Sequence, residues 1–521
     1  MKKILLWALP FLMGSVCYAE DITIRFNGTS AKVQQQTKDS VNVIVKGANV
    51  NIESRYTDHK LTLRLTGKSD NGQVVLKTAG KAKITLDHLN LTSQEGAPLD
   101  LKNKKKVEVV AADGTENTLT ITACNDTANH KAAVIWAKDK LLLSGKGTLN
   151  IIASGDGCRG IKTKKDVIIE DLTLNVTTSG DNLGEKPFGF GGFPGMPEGG
   201  FQMPEGGFQM PDFGGMTNFD GGFPMGNDST RRGGFPGFGG GFQMPDFGGG
   251  MPNFGEGFPM GGFPDFGNRD ENEEDGMGFD DMGGFGGKHK YIASTKGIAS
   301  KGKITINSGN VTVRTSTAGA EGIEGKEGVV LNGGNVDVLT TDDAINANAT
   351  IEFNGAHVIA RSIGNDAVDS NPKGGFFMPF GGNSDQNADP AIVINGGTVY
   401  AWSQVGSPEE GLDGDFAPFV INGGTIFSVG GGMGEMPSVP TNETAKQPTV
   451  LLIGINIVKD EPIYIYDGSG KLIDTVTIPF SLRRSASLVG SPAFKVGSTY
   501  TVKTKGYEKI FTLNENFTTV R

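Results

Sequence analysis

Acidic residues recur at a fixed position of a short motif in the second half of the chain. The motif places an acidic residue two positions before an aliphatic one, as Asp343 does in DAIN and Asp366 does in DAVD. The first acidic position and the position three residues later form two series: Glu321, Asp343, Asp366 and Glu410, then Glu324, Asn346, Asp369 and Asp413. Carboxylates stacked about 5 Å apart repel by about 3 kcal/mol per pair at an effective dielectric constant near 20. The spacing therefore predicts a bound cation.

Calcium is the cation that this set of residues fits best. It binds six to eight oxygen ligands in flexible geometry, and the carbonyl groups of a turn can complete a shell of carboxylates. The predicted metal ligands, including the adjacent Asp342 and Asp415, are Glu321, Glu324, Asp342, Asp343, Asp366, Asp369, Glu410, Asp413 and Asp415. The alternative is that these acidic residues occupy solvated turns and bind no metal.

The strands that must position these residues are short and regularly spaced. Aligned on the motif, the aliphatic positions are Ile298, Ile323, Ile345, Val368 and Leu412, at intervals of 25, 22, 23 and 44 residues. The last interval contains the insert PKGGFFMPFGGNSDQNADP. Each unit holds two strands with alternating apolar residues, joined by an Asn-Gly turn, and a third brief strand at the acidic corner. Because no strand can bury its apolar face alone, consecutive units are expected to stack as parallel strands about 4.8 Å apart.

This stacking predicts an all-β protein, specifically a right-handed parallel β-helix. A column of asparagines supports the prediction, since an apolar strand precedes and a glycine follows each of Asn332, Asn354, Asn395 and Asn422. Asparagine tolerates the left-handed turn conformation, and its amide can bond to the units above and below. Four unrelated hairpin turns would not place the Asn-Gly pair at the same position of every repeat.

The first 19 residues predict export. Lys2 and Lys3 precede an apolar run from Ile4 to Val16, and the small residue Ala19 then offers a cleavage site, which is the pattern of a secretory signal peptide. Lipidation at Cys17 is the alternative, although the bulky residue before it disfavours that reading. We expect a secreted or cell-surface protein without a transmembrane segment, because no other apolar run is long enough to span a bilayer.

Charge and cysteine content limit the partners and the covalent links. A formal net charge of -10 argues against nucleic acid as a partner and leaves room for cations. After export two cysteines remain, Cys124 and Cys158, and an oxidising compartment allows them to form one disulfide. The alternative is a pair of small, buried apolar side chains.

Composition changes along the chain predict its domain organisation. Residues 183–290 form a loop rich in Gly, Phe, Pro and Met that cannot form a packed core, so we expect it to be disordered. Its phenylalanines could stack on sugars or associate with other copies, and a tolerated insertion is the alternative. The predicted segments are a signal peptide (1–19), a cap and first β-helix units (20–182), the loop (183–290), units with the acidic series (291–430), a linker (431–448) and a small antiparallel β cap (449–521).

Several segments together resemble a known family. They are KITLDHLNLTSQEGAPLDLKNKKKVEVVAADGTENTLT at 83–120, the following KAAVIWAKDKLLLSGKGTLNIIAS and DGCRGIKTKKDVIIEDLTLNV, and the DAI-type motifs. In these the chain resembles the bacterial secreted carbohydrate-binding β-helix family, whose members are similar to polysaccharide lyases. The resemblance implies a pectate-lyase-like right-handed β-helix, calcium ions bound along it, and binding to cellulose and polygalacturonate.

Two functional classes follow, and a structural role is a third. In the first class the chain is a non-catalytic, calcium-dependent polysaccharide-binding protein or adhesin, with Tyr400 and Trp402 packing on sugar rings. A structural role for Trp402 is the alternative to its binding of sugars. The alternative is a lyase acting by calcium-assisted β-elimination, with candidate bases Arg159, Lys326, Arg361 and Lys373. The third interpretation is a structural protein of the cell surface or matrix.

Overall fold

Strands joined by tight turns make up the described part of the chain, which contains no helix. A computed structural model describes residues 21–36, 40–123, 132–185, 291–372, 389–405, 408–414, 417–431 and 438–521. The all-β class is therefore confirmed for these residues. Within the same ranges, no helix is long and apolar enough to cross a membrane. The described residues belong to one unit, Met1–Pro187 with Gly283–Arg521.

The strands before the Gly-rich loop have the following bounds. Up to residue 123 they are β1 (Ile22–Asn27), β2 (Ser30–Gln35), β3 (Val41–Lys46), β4 (Asn49–Ser54), β5 (Leu61–Ser69), β6 (Gln73–Thr78), β7 (Ala82–Ser93), β8 (Leu99–Asn103), β9 (Val107–Ala111) and β10 (Glu116–Ile121). Residues 132–185 contain β11 (Ala133–Ala137), β12 (Leu141–Gly145), β13 (Thr148–Ala153), β14 (Arg159–Thr163), β15 (Val167–Ile169), β16 (Thr173–Thr178) and β17 (Leu183–Glu185).

The strands after the loop continue the same pattern and then change it. Up to residue 431 they are β18 (Tyr291–Ala293), β19 (Lys296–Ser300), β20 (Ile304–Ile306), β21 (Asn310–Thr315), β22 (Glu321–Gly325), β23 (Val329–Leu331), β24 (Asn335–Thr340), β25 (Ile345–Ala347), β26 (Ile351–Phe353), β27 (His357–Ser362), β28 (Val368–Ser370), β29 (Ile392–Ile394), β30 (Thr398–Ser403), β31 (Phe419–Ile421) and β32 (Thr425–Gly430). The C-terminal strands are β33 (Thr449–Ile457), β34 (Pro462–Asp467), β35 (Leu472–Thr477), β36 (Leu482–Gly490), β37 (Thr499–Thr504), β38 (Tyr507–Thr512) and β39 (Phe517–Val520).

Each strand of a unit pairs in parallel with its equivalent in the next unit, which produces three ladders. Ladder A runs through β1, β5, β7, β9, β12, β15, β20, β23, β26, β29 and β31. Ladder B runs through β7, β10, β13, β16, β21, β24, β27, β30 and β32. Ladder C runs through β4, β6, β8, β11, β14, β19, β22, β25 and β28.

The apolar residues of all three ladders share one core. In ladder C, Ile298 is in register with Ile323, Ile323 with Ile345, and Ile345 with Val368, and all four are fully buried. Strand alternation explains the pattern, since successive side chains point to opposite faces of a sheet. The motif alignment therefore gave the correct register for these strands.

The predicted asparagine column is confirmed at the turns that follow ladder A. The Nδ2 of Asn332 donates to Asn307 Oδ1 (2.9 Å) and that of Asn354 to Asn332 Oδ1 (2.8 Å). The series continues through Asn395 (2.7 Å) and Asn422 (2.6 Å). Asn307 is an additional member that the sequence pattern missed, because Ser rather than Gly follows it.

Antiparallel strands lie at both ends of the ladders. At the N-terminal end β2 pairs with β1, and β3 pairs with β4. At the C-terminal end β36 pairs antiparallel with β32, the last strand of ladder B, and with β33. A separate antiparallel sheet has the strand order β35-β34-β37-β38. The first strands of ladders A and C and the last strand of ladder B thus have antiparallel partners, which reduces the unpaired strand edges that favour aggregation.

Several predictions fall outside the described residues. They concern the signal peptide at 1–19, nearly all of the loop at 183–290, and Cys124. Of the loop segment the structure describes only residues 183–185, which form β17 and pair antiparallel with β18, the strand that directly follows the loop. Cys158 is buried and its Sγ donates to the Asp156 carbonyl at 3.6 Å. Because Cys124 is not described, the disulfide stays a prediction.

Candidate functional site

The second acidic series forms one column on ladder C. Backbone register aligns Glu324 with Asn346 and Asn346 with Asp369, and an isolated parallel bridge continues the column from Asp369 to Asp413. Glu324, Asn346 and Asp369 are each at least nine-tenths buried. Burying one charge costs several kcal/mol unless hydrogen bonds or opposite charges compensate it. The column therefore needs compensation at every step.

The first acidic series lies in the turns that lead into ladder C. Asp343 lies between β24 and β25, and Asp366 lies between β27 and β28. Both carboxylates are buried, with 2% and 7% of their surface exposed. The backbone N–H of Glu410 donates to Asp366 Oδ1. The two series thus converge on the same edge of the ladder.

Asn346 links the two series through its side-chain amide. Its Nδ2 donates to Asp343 Oδ2 at 3.0 Å and to Asp369 Oδ2 at 3.1 Å. Asn371 Nδ2 also donates to Asp369 Oδ2, at 2.9 Å. The Oδ1 of Asn346 is buried and accepts no hydrogen bond from the described residues. One amide therefore holds two carboxylates together while its own oxygen is desolvated without compensation.

Electrostatics in this cluster favour the neutral form of one carboxyl group. Burial, together with the nearby charges of Asp343 and Asp413, raises the pKa of Asp366 well above its usual value. A cation would relieve the part of this shift that the neighbouring carboxylates cause. We call Asp343, Asn346, Asp366, Asp369 and Asp413 the aspartate cluster.

Lysines compensate the charge at the other end of the column. Lys296 Nζ lies 3.0 Å from Glu321 Oε2 and 2.7 Å from Glu324 Oε1, and Lys326 Nζ also lies 2.7 Å from Glu324 Oε1. Burial opposes ionisation of Glu324, but the two ammonium groups outweigh burial and hold its pKa far below the usual range. Burial and the charge of Glu324 raise the pKa of Glu321 to about 6.

Of the other predicted ligands, the described ones are held by hydrogen bonds to neighbouring residues. Asp342 Oδ1 accepts a hydrogen bond from Asn365 Nδ2 at 2.7 Å. Ser438 joins the last two acidic residues, since its N–H donates to Glu410 Oε2 and its Oγ to Asp413 Oδ1, each at 2.9 Å. Asp415 lies outside the described residues. Within those residues no three Asp, Glu, His or Cys side chains are arranged as a complete metal site, so the metal roles stay predictions.

The structure corrects the prediction for Trp402 as a residue that packs on sugars. Its ring is 5% exposed, packs in a cluster with Phe427 and residues of the C-terminal strands, and donates from Nε1 to the Phe427 carbonyl at 3.1 Å. The C-terminal strands cover this face of ladder B, which local alternation could not predict. Tyr400 stacks on Trp402 with ring centroids 5.7 Å apart and is half-buried, so its predicted role in binding stays untested.

Two contributors to the site were missed from the sequence. Lys296 occupies the register position of Glu321, and KGI stands where other units have EGI or DAI. The sequence signal was therefore a lysine at the position where other units of the aligned motif have an acidic residue. Ser438 carried no signal, because it reaches Glu410 and Asp413 from a segment without the motif.

Part of the chain matches a known protein family. Residues 46–186 and 268–367 match the model of a family described as carbohydrate-binding domain-containing protein. The resemblance inferred from the sequence is confirmed over these residues. The matched segments contain Glu321, Asp343 and Asp366, whereas Asp413 and the C-terminal strands lie beyond them.

A curated relative and a solved structure are also similar. A carbohydrate-binding domain-containing protein of Acetivibrio thermocellus is 25% identical over 162 residues, which cover 30% of this chain. The chain spans 54% of the length of that relative. A solved structure described as the polysaccharide lyase-like protein from C. thermocellum, gadolinium derivative, is 16% identical with a TM-score of 0.37. That likeness covers 65% of this chain and 90% of the other.

Proposed function

We propose that this chain is an exported, calcium-dependent polysaccharide-binding protein or adhesin built on a right-handed parallel β-helix. Its ligand would be an acidic plant polysaccharide such as polygalacturonate, with cellulose as a further partner. The observation that carries the proposal is the aspartate cluster, most of which is buried, in a chain that matches a carbohydrate-binding family over residues 46–186 and 268–367.

The aspartate cluster fits calcium in its donors and its charge. All its side chains offer oxygen, which is the ligand that calcium prefers. The buried Oδ1 of Asn346 accepts no hydrogen bond from the described residues, and the pKa of Asp366 is raised by burial and by neighbouring carboxylates. A divalent cation would be coordinated by the Asn346 oxygen and would lower the pKa of Asp366. The Glu321 and Glu324 pair has less need of a metal, because Lys296 already compensates it.

Binding of an acidic glycan follows from an ion at this edge. Calcium would supply coordination positions that a uronate carboxylate can share, so the protein and the glycan would bind the same ion. Asp343, Asp366 and Asp369 would hold and orient the ion. The net charge of -10 would otherwise repel a polyanion, so binding should depend strictly on the cation.

The experiment is a pull-down of the mature protein with insoluble polygalacturonate, in calcium and in chelator. Absorbance of unsaturated uronides is read in the same tubes. We expect calcium-dependent retention without a rise in absorbance. The variant Asp343→Asn/Asp366→Asn should lose retention, whereas the control Asp58→Asn/Asp113→Asn, which removes two exposed charges, should keep it. Equal retention in calcium and in chelator would contradict the proposal.

No contact in the described residues favours the lyase alternative. Arg159 donates to the carbonyl of Ser294 at 3.0 Å, Lys326 is paired with Glu324, and Arg361 is paired with Asp337 at 2.9 Å. Lys373 lies outside the described residues. A base for β-elimination must reach the substrate proton, and each described candidate is engaged elsewhere.

A further inference from the structure

The antiparallel sheet β35-β34-β37-β38 has two faces of different character. Ile463 and Ile465 of β34 and Val502 of β37 are buried on one face. Tyr464 and Tyr466 alternate with the two isoleucines and therefore lie on the other face, where each is half-buried. The second face carries aromatic rings and is more exposed to solvent than the first.

This second face contains a cavity of about 750 Å³. Its lining includes Tyr464, Tyr466, Thr501, Lys503 and Glu508. Small-molecule sites of roughly 300–1,000 Å³ are typical of proteins, so the cavity can hold a short oligomer. The strands that form it begin at Pro462, well beyond the residues that match the carbohydrate-binding family.

The two tyrosine rings have a geometry suited to sugars. Their centroids are 6.0 Å apart and their planes differ by 29°. A tyrosine ring offers an apolar face to the C–H groups of a pyranose and a phenol that hydrogen-bonds to its hydroxyl groups. Thr501 is in register with Tyr466, and Lys503 with Tyr464, so polar groups flank each ring on the adjacent strand.

Four of the five charged residues that line the cavity form ion pairs with one another, and the fifth, Asp467, accepts hydrogen bonds within its own turn. Lys503 Nζ lies 3.1 Å from Glu508 Oε2, and Lys505 Nζ lies 2.6 Å from Glu461 Oε1. Both lysines of the lining are therefore paired with glutamates. A uronate or a phosphate would have to break one of these ion pairs, whereas a neutral sugar would not. The lining thus matches a neutral ligand.

We propose that the tyrosine face of the C-terminal sheet is a second carbohydrate site, which binds a neutral hexose or pentose chain independently of calcium. It rests on the proposed function for cellulose as a partner and deepens it, since it places the binding of neutral chains on other residues than the aspartate cluster and without a cation. A chain of two or three sugar rings would lie across Tyr464 and Tyr466, with Thr501 and the Lys503–Glu508 pair bonding to hydroxyl groups.

The test is calorimetric titration of the full mature chain with cellohexaose, mannohexaose and xylohexaose in the presence of chelator. We expect at least one to bind, and Tyr464→Ala/Tyr466→Ala to weaken that binding by about tenfold or more. Replacement of both tyrosines by Phe should keep most of the affinity. The control Val496→Ala, an exposed residue of the same module outside the cavity, should leave it unchanged.

Two results would overturn the proposal. One is the failure of all three oligosaccharides to bind in chelator, and the other is equal affinity for the wild type and the double Ala variant. Far-ultraviolet circular dichroism of that variant separates loss of the site from loss of fold. Polygalacturonate binding in calcium, measured on the same protein, reports on the aspartate cluster alone, so the two proposals fail separately.

Discussion

Asn346 and Asp369 occupy equivalent positions in consecutive units, and the amide of the first donates to the carboxylate of the second over 3.1 Å. The same Nδ2 donates to Asp343. An amide thus partly compensates two carboxylates that would otherwise repel each other. The hydrogen bonds do this with a neutral group, so the negative charge of the cluster remains.

Replacement of Asp343 and Asp366 by Asn should have opposite effects with and without calcium. In calcium the variant should melt at a lower temperature than the wild type, because an ion at 100 times its Kd stabilises the folded state by about 2.7 kcal/mol. In chelator the difference should vanish or change sign, because two like charges have been removed. Differential scanning calorimetry in both buffers measures this. A wild-type melting temperature that is the same in calcium and in chelator would contradict the metal site.

Asn346→Asp should make the fold more dependent on calcium. The substitution puts a carboxylate in place of the amide that bridges Asp343 and Asp369. In chelator we therefore expect a loss of about 1–3 kcal/mol in the free energy of unfolding. In calcium the added ligand charge should raise ion affinity. Urea titration with and without calcium measures both. Asn371→Asp, which adds the same charge beside Asp369, is the control for non-specific repulsion.

Stability should depend on pH through Glu321. Its pKa is about 6 in the folded chain against 4.5 for the free side chain, so the folded state binds its proton more tightly. Stability from this group is present below pH 4.5 and is lost as the pH rises through 6, by about 2 kcal/mol. Glu321→Gln should flatten that decline in urea titrations between pH 4.5 and 7. The same decline of stability with pH in Glu321→Gln as in the wild type would contradict this prediction. The variant Glu95→Gln, at an exposed position, is the control.

The asparagine column should contribute to stability in proportion to the bonds removed. Asn354→Ala breaks two side-chain bonds of the column, one to Asn332 and one from Asn395, whereas Asn422→Ala breaks one. Each is worth about 0.5–1.5 kcal/mol. We therefore expect the central variant to lose roughly twice as much free energy of unfolding. Equal losses would show that the amides do not act as a bonded series.

Trp402→Phe should destabilise the C-terminal strands without altering glycan affinity. It removes the bond from Nε1 to Phe427 and part of the ring that the C-terminal cluster covers. We expect a loss of about 1–3 kcal/mol. Polygalacturonate affinity per folded molecule, measured by affinity electrophoresis, should stay the same. A selective loss of affinity would restore the binding role predicted for this residue.

The sequence predicted features that depend on repetition. The register of Ile298, Ile323 and Ile345 and the bonds between Asn332 and Asn354 follow from constant spacing, because a stacked strand brings each residue over its equivalent. Repetition transfers a one-dimensional pattern directly into contacts.

Features that depend on distant segments were not predictable in the same way. Trp402 is buried because strands from residue 449 onward pack on its ladder, and no local pattern reveals that contact. Ser438 reaches Asp413 from outside the motif. Lys296 is an intermediate case, since its alignment with Glu321 was visible but its ion pairs depend on side-chain conformation.

The junction at the Gly-rich loop has a consequence for engineering. Ile161 of β14 pairs with Ile298 of β19 as closely as neighbouring units elsewhere pair, although 136 residues separate them. Chain length between paired units costs little, since each doubling adds only about 0.6 kcal/mol of closure entropy. The same site should therefore accept a foreign domain while the paired units on either side of it keep their register.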